Sequence, residues 1–350
     1  MKLSIIVPCY NVAQYLPRCL MSLTNQSLTD MEIICIDDKS TDNTLAVLKN
    51  WAKGDLRIRV IENDENMGVG FTRNRGIDLA KGEFVGFVDP DDWIDCNFYK
   101  KLIEVAEKTQ TPVVCGDIIE HPVNGKPFKK KIEVKKSQYH WMYSWSAVYL
   151  REFLNRYNLH FPRLVIAEDS VFESSVKVHM PKPIVHVKGV AYHYFRRVDG
   201  ANVRVWSEKQ LNDYISAVNQ IVDIFNMADH VSPKDYHIGV IKYYFLHLCN
   251  AVYYNDPDVN QRIAVAVCEI AQKLKYPQEL IKRKHGLFLA LRHRSVRGVL
   301  EVMKQDRWLN YCYYFPLIRK PIFVISQNAM VRELKIFGLK VFVRQITSNY

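Results

Sequence analysis

The stretch Glu83-Phe-Val-Gly-Phe-Val-Asp89-Pro90-Asp91-Asp92-Trp93 decides the reading of this chain. Residues 84–88 are apolar and β-prone, as in a strand covered on both faces of a sheet. The apolar run then stops, and Asp89, Asp91 and Asp92 follow within four positions. Carboxylates that close repel one another unless positive charge lies between them. A divalent cation with oxygen ligands meets that need. In open α/β sheets, ligands bind beyond the carboxyl ends of the strands, which is where this cluster falls.

Working outward, strand and helix patterns alternate through the first 120 residues. Strands are expected at 3–9, 31–37, 57–61, 83–88 and 112–115. Helices are expected at 12–23, 42–51, 70–80 and 96–108. Such alternation implies βαβ units and a mostly parallel sheet with helices on both faces, an α/β fold. The segment 120–136 reads as a hairpin with a basic face, and 141–154 as aromatic and helical. A loop over 163–169 leads into a helix over 170–178. Two strands follow, 183–187 and 190–194, broken at Lys188-Gly189. Beyond Gly200 the pattern is helical: 207–228, 237–254, 258–274, 278–305 and 331–345. The expected domains are 1–205, catalytic, and 206–350, basic and mainly α-helical.

Composition narrows the class. Of 350 residues, 48% are hydrophobic and 24% charged, which suits a globular chain. No run of about 18 apolar residues is present, so a spanning helix is not expected. The N-terminal apolar run is too short for a signal peptide. The eight cysteines are scattered without a Cys-x-x-Cys pair, so they read as reduced thiols of a cytosolic protein. Charge is uneven: residues 1–120 hold 13 Lys+Arg against 19 Asp+Glu, and residues 121–350 hold 35 against 18. A basic second part suits an anionic partner or a solvated basic surface. No nucleic-acid-binding module is recognisable.

Four features fall at strand or helix ends of the first part. They are Pro8-Cys-Tyr10-Asn11; Asp37-Asp38-Lys-Ser40-Thr-Asp42; Asn66-Met-Gly68-Val-Gly70-Phe-Thr-Arg73-Asn74; and the acidic cluster. Gly68 and Gly70 lack the third glycine of a dinucleotide fingerprint and do not follow the first strand. Taken together, the four place an aromatic ring, carboxylates, a cation and a metal-binding cluster along one sheet edge, as a nucleoside diphosphate requires.

In order and spacing these motifs resemble the family 2 glycosyltransferases of GT-A fold, of the type that builds bacterial capsule or lipopolysaccharide. Ala167-Glu168-Asp169-Ser170 is similar to the family's acceptor-side acidic motif. Tyr192-His-Tyr-Phe-Arg196-Arg197 is similar to its basic aromatic segment. The resemblance implies an inverting hexosyl- or N-acetylhexosaminyl-transferase that uses a UDP-sugar donor. Pro8, Tyr10, Asn11, Asp38, Asn66, Gly68, Arg73 and the Asp89-Pro90-Asp91-Asp92 run would then hold the nucleotide-sugar. Asp89 and Asp91 would bind Mn²⁺ or Mg²⁺, with Asp92 facing the sugar or capping a helix. Asp169 would be the general base and Glu168 the competing assignment. Trp145, His193, Arg196 and Arg197 are candidates for phosphate or acceptor contacts.

Basic and aromatic residues late in the chain, among them Lys282 to His285 and Tyr311 to Phe315, suit a peripheral contact with anionic lipid at the inner face of the cytoplasmic membrane. They equally suit packing between helices or oligomerisation. A glycan or lipid-linked acceptor fits the first case. Two rivals stand beside the transferase. A nucleotidyltransferase would need a basic Gly-rich loop after the first strand, where Tyr10-Asn11-Val12 stands. A silent nucleotide-sugar-binding scaffold would not need both acidic sites.

Overall fold

A computed structural model describes residues 1–123, 125–130, 143–197, 207–246, 248, 257–276, 296–299, 323–328, 331–336 and 339–342. The chain forms two compact units, Met1–Val240 and Ile241–Tyr350. The break expected at 205/206 therefore moves to 240/241. The reason is packing: helix α7 (Glu208–Met227) buries Leu211, Tyr214, Val218 and Ile221 along one stripe and lies against helix α6 (Glu168–His179).

The first unit is built on a nine-stranded sheet. Its parallel half is β3 (Ile58–Glu62), β2 (Met31–Asp37), β1 (Leu3–Cys9) and β4 (Phe84–Phe87), side by side in that order. Every residue of β1, β2 and β4 is buried, as continuous apolar runs in parallel interior strands require. The crossovers are helical: α1 (Leu16–Thr24), α2 (Thr44–Gly54) and α3 (Val69–Leu79).

Beyond β4 the sheet becomes mixed. β8 (Ala147–Leu150) pairs antiparallel with β4 and with β6 (Val113–His121), and a two-residue β7 (Phe128–Lys129) also pairs with β6. β9 (Val185–Phe195) runs parallel to β6, and β5 (Trp93–Ile94) pairs antiparallel with β9. Helix α4 (Phe98–Thr109) links β5 to β6, α5 (Arg151–Arg156) follows β8, and α8 (Pro233–Tyr236) follows α7.

Several expectations change in this half. The helix expected over 141–154 resolves, from Ser144 onward, into a 3₁₀ turn at Ser144–Ser146, strand β8 and the short α5. A four-residue apolar strand carries too little periodicity to separate it from helix. The break expected at Lys188-Gly189 is a bulge within one strand. The register shifts opposite Cys115/Asp117, Gly189 takes φ +82°, and its N–H donates to Asp117 Oδ2 at 2.9 Å. The basic hairpin starts as expected with β6 and β7, while 131–136 lie outside the described residues.

The second unit contains helix α9 (Pro257–Lys273) and a three-stranded antiparallel sheet, β10 (Phe323–Asn328), β11 (Val331–Ile336) and β12 (Leu339–Phe342). The helix expected at 331–345 is thus strand where it is described. Leu334 and Ile336, then Leu339 and Val341, alternate with Lys335 and Lys340 around Gly338, a hairpin pattern. The basic and aromatic residues at 282–285 and 311–315 lie outside the described residues. Among the described residues, no helix is long and apolar enough to cross a membrane.

Gly86 sets how closely α4 approaches the strand that carries the acidic cluster. A Cβ there would overlap the Tyr99 ring, whose hydroxyl donates to Phe87 O at 3.3 Å. Gly86→Ala is expected to lower stability by about 1–3 kcal/mol through overpacking, measured by urea denaturation.

Candidate active site

The carboxyl ends of β1, β2 and β4 open onto a cleft of about 280 Å³. Of the residues expected to bind nucleotide, Pro8, Tyr10, Asp38, Asn66, Gly68, Arg73, Asp89, Pro90 and Asp91 line it, and so does Arg197. Cys9, Val12, Val69 and Thr72 complete the wall. The residues expected there from sequence therefore meet in one place, drawn from four chain segments.

Two of them hold the walls together. Asp38 is buried and accepts from Asn63 Nδ2 (2.6 Å) and the Met67 and Gly68 N–H groups (2.9 and 2.8 Å). It thereby fixes the loop that opens α3, where Gly68 takes φ +86°. Asn11, at φ +50°, accepts from the Thr41 and Asp42 N–H groups and donates its own N–H to Ser40 Oγ. It stitches two loops behind the cleft and is not part of the lining.

The three acidic residues after β4 have different tasks. Asp92 is fully buried and faces away from the cleft. It accepts from Tyr192 Oη (2.8 Å) and Phe195 N–H (2.7 Å). Tyr192 Oη in turn accepts from Asp89 N–H (3.0 Å). Asp92 thus ties β9 to the acidic loop and neither faces sugar nor caps α4. Arg18 on α1 donates to Asp91 O at 2.7 Å, with its guanidinium 3.9 Å over the Trp93 ring.

That leaves Asp89 and Asp91 in the cleft, each side chain 23% exposed. Burial and then the Asp89 charge push the Asp91 carboxyl up to about 6, against the pull of Arg197, whose Nε is 3.4 Å away. Arg73 and Arg197 meet the two carboxylates from the protein side, and the donor set is hard oxygen. A divalent cation fits this pair. Among the described residues no cluster of three ligating side chains exists, so such a cation would take its remaining ligands from phosphate and water, as Mg²⁺ commonly does.

Arg73 joins this side of the cleft to the other. It is buried, with Nη2 2.8 Å from Asp89 Oδ1 and Nη1 2.9 Å from Glu168 Oε1. Burial alone would lower its affinity for the proton, but Asp89 and Glu168 outweigh it and hold the guanidinium charged. Asn74 brings Glu168 within reach. Its side chain exchanges two 2.8 Å hydrogen bonds with the Phe161 backbone and so clamps the loop before α6. Ala167 takes φ +60° where that loop turns into the helix, a conformation disfavoured for an L residue.

Glu168 and Asp169 open α6 but differ in surroundings. Burial and then the Asp169 charge push Glu168 up to about 7, against Arg73. Its Oε1 is already engaged by Arg73. Asp169 is half-buried, and its Oδ1 accepts only from Ser170 N–H (2.7 Å) and Oγ (3.3 Å). Among the described residues no cation lies within ion-pair distance of Asp169.

Other expected contacts sit elsewhere. Trp145 is buried in a stack with Tyr143, Tyr192 and Tyr194. His193 bridges His121 and Asp95, both at 3.0 Å, and stacks on Trp93. Arg196 pairs with Glu120 at the β6–β9 edge. None of the three lines the cleft. Sequence reasoning gave no site role to Tyr192, Asn74 or Arg18. The first two stand inside quoted motifs, and only Arg18 had no sequence signal at all.

Residues 4–165 match the sequence model for glycosyl transferase family 2. Through this segment the chain is similar to that family. It is 32% identical over 208 residues to the putative glycosyltransferase EpsH of Bacillus subtilis, spanning 55% of this chain and 60% of that one. It is 30% identical over 241 residues to the poly(ribitol-phosphate) beta-glucosyltransferase of Bacillus spizizenii, spanning 65% and 37%. The match thus spans at most about three fifths of these relatives' length. The fold is similar to that of residues 1–349 of S. aureus TarS in complex with UDP-GlcNAc: TM-score 0.71, 21% identity, over 99% of this chain and 100% of that one. The fold is GT-A.

Tyr192→Phe removes the hydroxyl shared by Asp89 N–H and Asp92 and leaves both buried groups short of a partner. The expected cost is about 1–3 kcal/mol in urea denaturation, with weaker UDP binding by calorimetry.

Proposed function

We propose that this protein is an inverting, metal-dependent glycosyltransferase that moves a sugar from a UDP-sugar to a growing surface glycan or lipid-linked acceptor. The observation that carries the reading is the division of charge around Arg73, from the cleft acids to the start of α6. Asp89 and Asp91 face the nucleotide side, and Arg73 is shared between Asp89 and Glu168. Asp169 is left without a cation partner among the described residues.

The donor reading is supported by the UDP-GlcNAc held by the TarS neighbour and by this cleft's lining. Tyr10, 45% exposed beside Pro8, offers a ring face to a base, and Asp38 keeps lone pairs for a ring N–H. Asp89 and Asp91 would hold Mn²⁺ or Mg²⁺. A bound cation supplies positive charge against the leaving diphosphate. Arg197, on the same wall, adds a second cation there.

On the acceptor side Asp169 takes the proton of the attacking hydroxyl. The hydroxyl oxygen bonds to the anomeric carbon from the face opposite the diphosphate, the bond to the phosphate oxygen breaks, and UDP leaves with the bonding pair. A single displacement inverts the centre. Glu168 lacks this freedom. Its raised affinity for a proton comes from burial and the neighbouring Asp169 charge, and its oxygen stays on Arg73.

The surface-polymer reading is supported by the similarity to the poly(ribitol-phosphate) beta-glucosyltransferase and by the family 2 match. A pairing of anionic acceptor or anionic lipid with the basic second part remains part of this proposal, and so does association through that part.

A panel of UDP-GlcNAc, UDP-glucose, UDP-galactose and GDP-mannose with Mn²⁺, scored by thermal shift and slow hydrolysis, tests the donor. A UDP-sugar is expected to stabilise and turn over, and a response to GDP-mannose alone contradicts the reading. Asp91→Ala is expected to abolish metal-dependent turnover; unchanged turnover in EDTA would remove the metal from the account. Asp169→Asn is expected to bind UDP within about twofold of wild type while transfer falls by 10²-fold or more. Transfer that survives there and is lost in Glu168→Gln makes Glu168 the base.

A further inference from the structure

Below the acidic pair, α6 buries two more charges that the proposed reaction does not use. Glu173 and Lys177 follow Asp169 by one and two turns, on the same face. Their side chains are 3% and 2% exposed, with Lys177 Nζ 3.5 Å from Glu173 Oε2. The other Glu173 oxygen, Oε1, accepts from Ser144 N–H at 2.7 Å. Ser144 opens the 3₁₀ turn that carries Trp145. Trp145 lies 4.3 Å from the Tyr192 ring, and Tyr192 is the residue that holds Asp89 N–H and Asp92. A second, wholly buried path therefore runs from the helix of the acceptor side to the loop of the donor side. Tyr149 on β8 reinforces it, donating to Ser144 O at 3.0 Å.

A buried ion pair is an expensive way to hold a helix. An apolar pair of similar volume is often as stable or more so. A role in stability alone therefore accounts poorly for Glu173 and Lys177. What an apolar pair lacks is an acceptor for the Ser144 N–H. That bond fixes where α6 stands relative to the turn, and Lys177 supplies the charge that lets a carboxylate make it in the interior.

We propose that Glu173 is a positioning residue, with Lys177 as its counter-charge: through Ser144, Trp145 and Tyr192 it sets the base helix against the Asp89–Asp91 loop. This rests on the reading of Asp169 as the base. The titratable groups that act on Glu173 are Lys177 and Asp169 on α6 and Tyr149 on β8. Burial, the largest influence, lifts Glu173 to about 8 despite Lys177 and lowers the affinity of Lys177 for its proton.

Two double variants separate geometry from charge. Glu173→Gln with Lys177→Met removes both charges and keeps an acceptor for Ser144. Glu173→Leu with Lys177→Met removes both charges and the acceptor. With whichever UDP-sugar of the panel turns over fastest, well below the melting temperature, the first is expected within about threefold of wild-type kcat. The second should lose roughly ten- to hundredfold in kcat while the Kd for UDP stays within about twofold. Equal kcat in the two, or equal losses of kcat and UDP affinity in the second, overturns the positioning role. Where neither sugar turnover nor folding allows the comparison, Lys177→Met alone tests the pairing by melting temperature. Without its cation, Glu173 stays in the fold only by keeping its proton. An acid held above its unfolded pKa stabilises below that unfolded value and loses the contribution as pH rises through the folded one. Lys177→Met should therefore lose more melting temperature than wild type between pH 6 and pH 9, and a difference independent of pH overturns the pairing. Asp169→Asn, run alongside, separates the two readings. Surviving transfer there defeats the base assignment, whereas lost transfer there with equal kcat in the two doubles defeats only the positioning pair.

Discussion

The arrangement of the site depends on one guanidinium. Arg73 is buried, yet two carboxylates from distant chain segments meet it at 2.8 and 2.9 Å. Each carboxylate compensates part of what the buried cation loses by leaving water, and loss of both would leave it buried and unpaired. Asp89 comes from the end of β4 and Glu168 from the start of α6, 79 residues apart in the sequence. Their common partner fixes the distance between the place where a diphosphate would leave and the place where a hydroxyl would be deprotonated. It also distinguishes the two acids of α6: Glu168 is held by Arg73, and Asp169, the proposed base, has no cation within ion-pair distance among the described residues.

The acidic loop is held from three sides by groups with no chemistry of their own. Tyr192 bridges Asp89 N–H and Asp92, Phe195 N–H donates to Asp92, and Arg18 grips the Asp91 carbonyl from α1. The loop so braced presents two carboxylates at fixed spacing. Preorganisation of this kind lowers what the protein must reorganise when a ligand arrives. Burial first, and then the neighbouring Asp89 charge, raises the proton affinity of Asp91.

Much of this was legible in the sequence, and the reasons are physical. β1, β2 and β4 are buried, mostly apolar runs, with Ser4, Glu32 and Asp37 the exceptions, because interior strands are covered on both faces. The acids, the glycine at positive φ and the Arg73-Asn74 pair stand at strand and helix ends, where local pattern and chemistry coincide. The second half of the sheet was harder. β8 is too short to show a period, and β9 carries a bulge whose glycine reads as a break. Asp92 shows a third limit: spacing placed it beside Asp91, but only the paired hydroxyl of Tyr192, 100 residues away, reveals that it points into the core. Long-range partners of this kind leave no local mark. The strands at 331–336 and 339–342 stand where a helix over 331–345 was expected.

The account stands on Arg73 as the shared partner of two carboxylates that do not themselves pair. A double-mutant cycle of Asp89→Asn and Glu168→Gln, read as unfolding free energy in urea, measures this directly. If one guanidinium serves both, the double variant loses more than the sum of the singles by about 1 kcal/mol or more, and the excess vanishes in an Arg73→Met background. Losses that add within about 0.5 kcal/mol would mean that the two sides of the cleft are held independently, contrary to this account.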